Sequence, residues 1–213
     1  MESEPGSTEL WLVLAGMLTL LAIAAAAALR YNLGQHGKLV EQFRILADKF
    51  DLELTIPEAT MYGLYRRNPT LYGRFKGHEI SIFPKGYGLD NTRQTDIAIR
   101  VSTKAKPDFQ FTLAQRNLTG RLGQLGRLKE AQTGDQRFEA KYSLRSNSPD
   151  EAVALINDQW RSRVEGEWIG IEGFLSLHDG VITFLQVGLP YQSQAREQVE
   201  RMVEFCVALS DEL

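Results

Sequence analysis

The chain has 213 residues, 43% hydrophobic and 24% charged, which suits one domain with a proper core and excludes a disordered chain. Its single cysteine, Cys206, excludes an intrachain disulfide. All 24 lysines and arginines lie at or after Arg30 and three of the 27 acids precede it, so 24 bases face 24 acids there, and a dedicated nucleic-acid binder, with its strong basic excess, is not expected.

The first element is "LWLVLAGMLTLLAIAAAAALR", residues 10–30. Its uncharged run would form a helix about 30 Å long, the thickness of a bilayer core. Trp11 and Tyr31 stand at its two ends, the depths that amphipathic rings favour. A signal peptide needs a basic n-region and a shorter apolar stretch. Residues 1–9 instead hold Glu2, Glu4 and Glu9 and no lysine or arginine. The reading is an uncleaved signal-anchor: a short acidic non-cytoplasmic tail, 1–9, and a single-pass transmembrane helix, 10–29. Arg30, Lys38 and Arg44 stand against Glu41 alone on the carboxyl side. Basic residues are retained in the cytoplasm. The expected location is therefore the inner (plasma) membrane of a bacterial cell, with the C-terminal domain cytoplasmic.

Residues 30–56 are expected to form a juxtamembrane helix and a linker into an α+β domain spanning 57–213. Leu39, Phe43, Leu46 and Phe50 recur at spacings of four, three and four, which predicts an amphipathic helix over 36–50. Residues 52–56 make a short strand ended by Pro57. "GRFKGHEISIF", 73–83, reads as a hairpin turning at Lys76-Gly77, with Pro84-Lys85-Gly86 breaking it. "TDIAIRV", 95–101, alternates: Ile97, Ile99 and Val101 face one way, Asp96, Ala98 and Arg100 the other. "DFQFTL", 108–113, alternates too. "RFEAKYSL", 137–144, reads as a strand with Phe138, Ala140, Tyr142 and Leu144 on one face.

A helix is predicted over "SPDEAVALINDQW", 148–160. Ser148 would be its N-cap, Pro149 its first residue, and Glu151 would complete a capping box. Its buried stripe would be Ala152, Leu155, Ile156 and Trp160. "EWIGIEGFLSLHDGVITFLQVG", 167–188, predicts two strands turning at His178-Asp179-Gly180. A last helix over 194–209 would bury Val199, Met202, Val203, Cys206 and Leu209. Tight turns between strands imply a mainly antiparallel sheet covered by helices, so the fold class is α+β behind one transmembrane helix.

The succession of "GRFKGHEISIF", "TDIAIRV" and "TGDQRFEAKYSLRSNSPDEAVALI", then a final helix, resembles a group of uncharacterised bacterial membrane-anchored proteins. There a Gly-Asp pair precedes a Phe-led strand, followed by a Ser-Pro helix start. Gly134-Asp135, Phe138 and Ser148-Pro149 carry the pattern here, over most of residues 72–213. The chain departs from it at Glu139, where an aspartate is expected. The resemblance implies a fold and a topology, and it brings no activity and no functional residue.

The sequence shows no catalytic, cofactor-binding or metal-ligating constellation. His36, His78 and His178 fall on separate elements without metal-ligand spacing. Cys206 lies on an apolar helix stripe, where a small core residue is expected. Gly120, Gly123 and Gly126 match neither a P-loop nor a dinucleotide fingerprint. Asp135 and Arg137 read as a loop turn or ion pair. Two stretches stand out as basic. Residues 61–87 hold Arg66, Arg67, Arg74, Lys76 and Lys85 against Glu79, interleaved with Tyr62, Tyr65, Tyr72 and Tyr87. Residues 116–129 have four bases and no acid. Such a surface is a solvated sheet face, a contact with anionic lipid, or a contact with another partner. The leading expectation is a membrane-anchored, non-catalytic domain that binds an unknown protein partner or organises one at the cytoplasmic membrane face. Two alternatives stay open: a lipid or small-ligand sensor, and an enzyme of unrecognised type.

Overall fold

The computed structural model describes residues 7–60, 66–87, 94–123 and 127–213. Its first element, α1 (Ser7–Phe50), is one continuous helix of 44 residues, about 66 Å long at 1.5 Å per residue. The two segments read separately, 10–29 and 36–50, are joined because residues 30–35 contain nothing that ends a helix. Gly34 and Gly37 weaken it without breaking it, and neither meets a neighbour within 4 Å.

The remaining elements are β1 (Glu53–Thr55), β2 (Thr70–Phe75), β3 (His78–Tyr87), β4 (Gln94–Ser102), β5 (Phe111–Gln115), a 3₁₀ segment (Arg116–Arg121), β6 (Lys129–Glu130), α2 (Gln136–Lys141), β7 (Tyr142–Ser146), α3 (Pro149–Leu155), α4 (Asp158–Glu167), β8 (Gly173–His178), β9 (Val181–Gln186) and α5 (Ser193–Asp211). Among the described residues the strands form one nine-stranded sheet in the order β1-β2-β3-β4-β9-β8-β5-β7-β6. Every pairing is antiparallel. The class is α+β, with one long apolar N-terminal helix. Both expected hairpin turns are present. Lys76 and Gly77, and again Asp179 and Gly180, have positive φ, as a two-residue turn matched to strand twist requires.

Helices cover one face of the sheet. Leu39, Phe43, Leu46 and Phe50 of α1 join Val199, Met202, Val203, Cys206 and Leu209 of α5 in a single core with Ile97, Ile99 and Val101 of β4. Trp168 lies at its centre, 1% exposed. Its ring meets Phe184, Tyr142 and Phe205 at centroid distances of 5.1, 5.7 and 6.1 Å. Gly173 must be glycine: a Cβ there would come within 2.6 Å of the Leu185 carbonyl oxygen. Polar clamps tie α1 to α5. Lys49 Nζ lies 2.9 Å from a Glu200 carboxylate oxygen, and Arg196 donates to Gln42 at 3.1 Å.

Four expectations need correction. Residues 84–86 do not break the hairpin; β3 continues, with Pro84, Lys85 and Gly86 opposite Ile97, Asp96 and Thr95. Pairing with β2 ends at Ile82, so Pro84 sits where β3 has one partner strand, and its missing N–H is tolerated. In "DFQFTL" the strand starts only at Phe111, because the Asn147 side chain occupies the backbone of Asp108 and Gln110.

Residues 137–144 are not one strand: α2 ends at Lys141 and β7 begins at Tyr142. The cause is a double cap. Asp135 accepts from the N–H groups of Arg137 and Phe138. Glu139 reaches back to accept from the Thr133 N–H, the Thr133 hydroxyl and the Gly134 N–H. The alternation of Phe138, Tyr142 and Leu144 was a helix turn running into a strand. Finally, 148–160 is two helices. The Ser148 side chain makes no cap bond, and the chain breaks after Ile156. Asn157 caps α4 by accepting from the Trp160 N–H at 3.1 Å.

Candidate functional site

The face of the sheet opposite the main core carries a groove of about 670 Å³. The strand register builds its floor as a transverse row. Phe83 lies opposite Ala98, Ala98 opposite Leu185, Leu185 opposite Phe174, and Phe174 opposite Ala114. Leu122, just past the 3₁₀ segment, packs on this row and completes a second apolar cluster. The neighbouring row is polar: Ser81, Arg100, Thr183, Ser176 and Thr112 stand opposite one another in turn. A one-residue step along each strand moves a side chain to the other face, so two steps separate the apolar row from this polar one on the same face.

The segment over the groove is pinned by an ion pair. Asp96 is 1% exposed, and Arg121 Nη1 donates to its Oδ2 at 3.1 Å. A buried carboxylate needs such a partner. Lys85 and Arg100 stand on the exposed rim, with His178 and Asp179 at the far end. The groove thus combines an apolar floor with a cationic border, an arrangement that suits an anion with an apolar part.

The three histidines remain apart. His36 Nε2 donates to the Arg67 carbonyl oxygen at 3.0 Å. His178 pairs with its neighbour Asp179 at 2.9 Å. His78 lies between the Ser102 carbonyl oxygen (3.0 Å from Nδ1), Asp211 Oδ1 (2.8 Å from Nε2) and the Ser210 hydroxyl (3.1 Å from Nδ1). This Ser–His–Asp grouping was not legible, because residue 78 and residues 210–211 meet only through the fold. It is a clasp rather than a nucleophile site. Ser210 is 3% exposed and donates to the Val207 carbonyl in its own helix, while both His78 nitrogens face backbone or carboxylate acceptors. The clasp fixes the end of α5 to the β3 and β4 edge.

Cys206 is fully buried, and burial pushes its thiol well above the ordinary range, which disfavours the thiolate that a nucleophile needs. Asp135 caps α2, and Arg161 Nε lies 3.9 Å from its free carboxylate oxygen. Hydrogen bonds from Thr133 and Gly134 hold the Glu139 carboxyl below its usual range. Among the described residues, no group of three His, Cys, Asp or Glu side chains gathers at metal-ligand distance. Of the groove, the sequence disclosed the outward face of β4 (Asp96, Ala98 and Arg100). It did not disclose the row across β3, β9 and β8, which depends on register.

No protein-family model matches the chain, and no curated protein does. Among solved structures the chain is similar to the crystal structure of the mycobacterial trehalose monomycolate transport factor A, TtfA. The TM-score is 0.51 at 10% identity, covering 78% of this chain and 93% of that one. At that identity the likeness shows the fold alone.

Proposed function

We propose that the protein is a single-pass, membrane-anchored, non-catalytic domain protein of the inner membrane. Its C-terminal domain binds a protein partner or organises an assembly at the cytoplasmic face. The observation that carries this reading is the continuity of α1. Its residues 11–28 are exposed at every position, and the same helix then enters the core through Leu39, Phe43, Leu46 and Phe50. A helix apolar on all sides and unburied suits a bilayer. The neighbour of like fold is named a transport factor, and an accessory role beside membrane transport machinery is the form of this reading that the likeness suggests. A reporter active only in the cytoplasm, fused after Leu213, should be active, and a periplasm-only reporter there should be silent. The reverse pattern would overturn the orientation argued from Arg30, Lys38 and Arg44.

The groove favours a second reading, a sensor for an amphipathic anion. A fluorescent fatty acid should then be held by the wild type and released by Leu185→Arg, which fills the apolar floor with a charge. Equal binding by both would remove this reading.

A further inference from the structure

Residues 61–65 of the basic stretch 61–87, with Tyr62 and Tyr65, lie outside the described residues, and the cations of the rest, 66–87, do not form one surface. β2 runs alongside α1 in the same direction, and two contacts fix the alignment. At one end His36 donates to the Arg67 carbonyl oxygen at 3.0 Å. At the other, the rings of Phe50 and Phe75 meet at 5.0 Å. The spans agree. Fourteen helical residues rise about 21 Å, and eight extended residues reach about 26 Å. Arg66 and Arg67 therefore sit at the end of the sheet nearest the apolar part of α1. Arg74 and Lys76 sit at the opposite end, beside Phe75 at the hairpin turn, and Arg74 is paired with Glu79 at 3.3 Å.

The height of the near end follows from the helix. His36 lies six residues beyond Arg30, about 9 Å along the axis. The headgroup layer is about 5–8 Å thick on each side of the hydrocarbon core, and the Debye length at physiological salt is about 8 Å. Arg66 and Arg67 are exposed and stand just beyond that layer, within one Debye length of it. Arg30 and Lys38 of α1 are exposed as well, about 9 Å nearer to the hydrocarbon and about 3 Å farther from it than His36. Glu58 is the acid on the described part of the connection into β2 and subtracts one charge from the four.

We propose that Arg66 and Arg67, together with Arg30 and Lys38, form a collar that binds anionic phospholipid headgroups and sets how the domain sits on the leaflet. The proposal rests on the membrane-anchored reading above. Each cation near an anionic surface favours the docked pose by roughly fivefold. Removing two shifts the balance by about 25-fold.

The test uses the full chain in nanodiscs of phosphatidylcholine alone or mixed with phosphatidylglycerol. Asn68→Cys, at an exposed site, carries a fluorophore, and spin-labelled headgroups quench it. Cys206 is buried and does not compete. Quenching should be stronger in the anionic discs and fall with added salt. Arg66→Gln with Arg67→Gln should abolish most of the difference, Arg66→Lys with Arg67→Lys should retain it, and Arg74→Gln with Lys76→Gln should leave it unchanged. A chain that enters both discs but shows no dependence on composition, or that responds equally to the near and far pairs, overturns the collar alone. A chain that enters neither disc overturns the anchor reading and the collar with it.

Discussion

The two halves of α1 share one backbone and belong to different surroundings. Over residues 11–28 every side chain is exposed, Trp11 at 69% and Leu20 at 69% among them. From Leu39 onward the buried positions recur at helical spacing, with Phe43 and Leu46 fully buried beneath the sheet. Both halves are helical, so helix propensity does not distinguish them. What differs is the periodicity of charge. The first half has none to place, so no face prefers protein over lipid. The second half carries Glu41, Arg44 and Asp48 on the side away from the core and Lys38 and Lys49 on its flank, all exposed. A stripe of apolar residues packs on protein, and an apolar cylinder does not need to.

Substitutions should separate the halves cleanly. Phe43→Ala removes a fully buried ring and should cost about 3–5 kcal/mol of domain stability, read by urea unfolding of the full chain in detergent micelles. Leu20→Ala should leave that midpoint unchanged. A comparable loss at both sites would mean that the first half also packs on protein. Leu20→Arg sharpens the contrast. A charge at the centre of a spanning helix opposes insertion by about 2.5–3.5 kcal/mol, so the membrane-bound fraction should fall while the domain midpoint in micelles stays put.

How much of this was legible depended on whether a signal was local. The apolar run, the stripe of 39–50, the Asp-Gly turn and the face of α5 are each set by residues within a few positions, and each stands in the structure. The failures were also local signals, outcompeted. Alternation at Phe138, Tyr142 and Leu144 imitated a strand, while Asp135 and Glu139 supplied enough acceptors to start a helix. Ser148 does stand at the N-cap of α3 with Pro149 first, but its side chain makes no cap bond, and the side-chain cap comes from Asn157 at the next helix. The groove lay beyond reach for another reason. Its floor is a row across five strands, so it exists only once register is fixed.

Glu139 allows that competition to be measured. Glu139→Gln should weaken the α2 start by less than about 1 kcal/mol at neutral pH, since the group is partly exposed and screened. Its folded-state pKa is lowered by the Thr133 and Gly134 hydrogen bonds. The contribution is therefore complete above the unfolded-state pKa and disappears as pH falls through the folded one. Wild type and variant should converge in acid, and a gap that widens there would contradict the assignment. Ser148→Ala should change stability least, within about 0.5 kcal/mol, because its hydroxyl makes no cap bond. A loss of 1 kcal/mol or more would restore it as the cap.

The central claim, that one helix passes from lipid into the protein core, is tested most directly by spin labels placed one at a time along α1 from Leu12 to Ile45 in nanodiscs. Accessibility to oxygen and to a water-soluble relaxing agent is read at each site. Labels over 12–28 should see oxygen and exclude the aqueous agent at every position. Beyond Tyr31 the aqueous agent should appear with a period near 3.6 residues, lowest at Leu39 and Phe43. Aqueous access throughout 12–28, or a break in helical period between Arg30 and His36, would contradict the account.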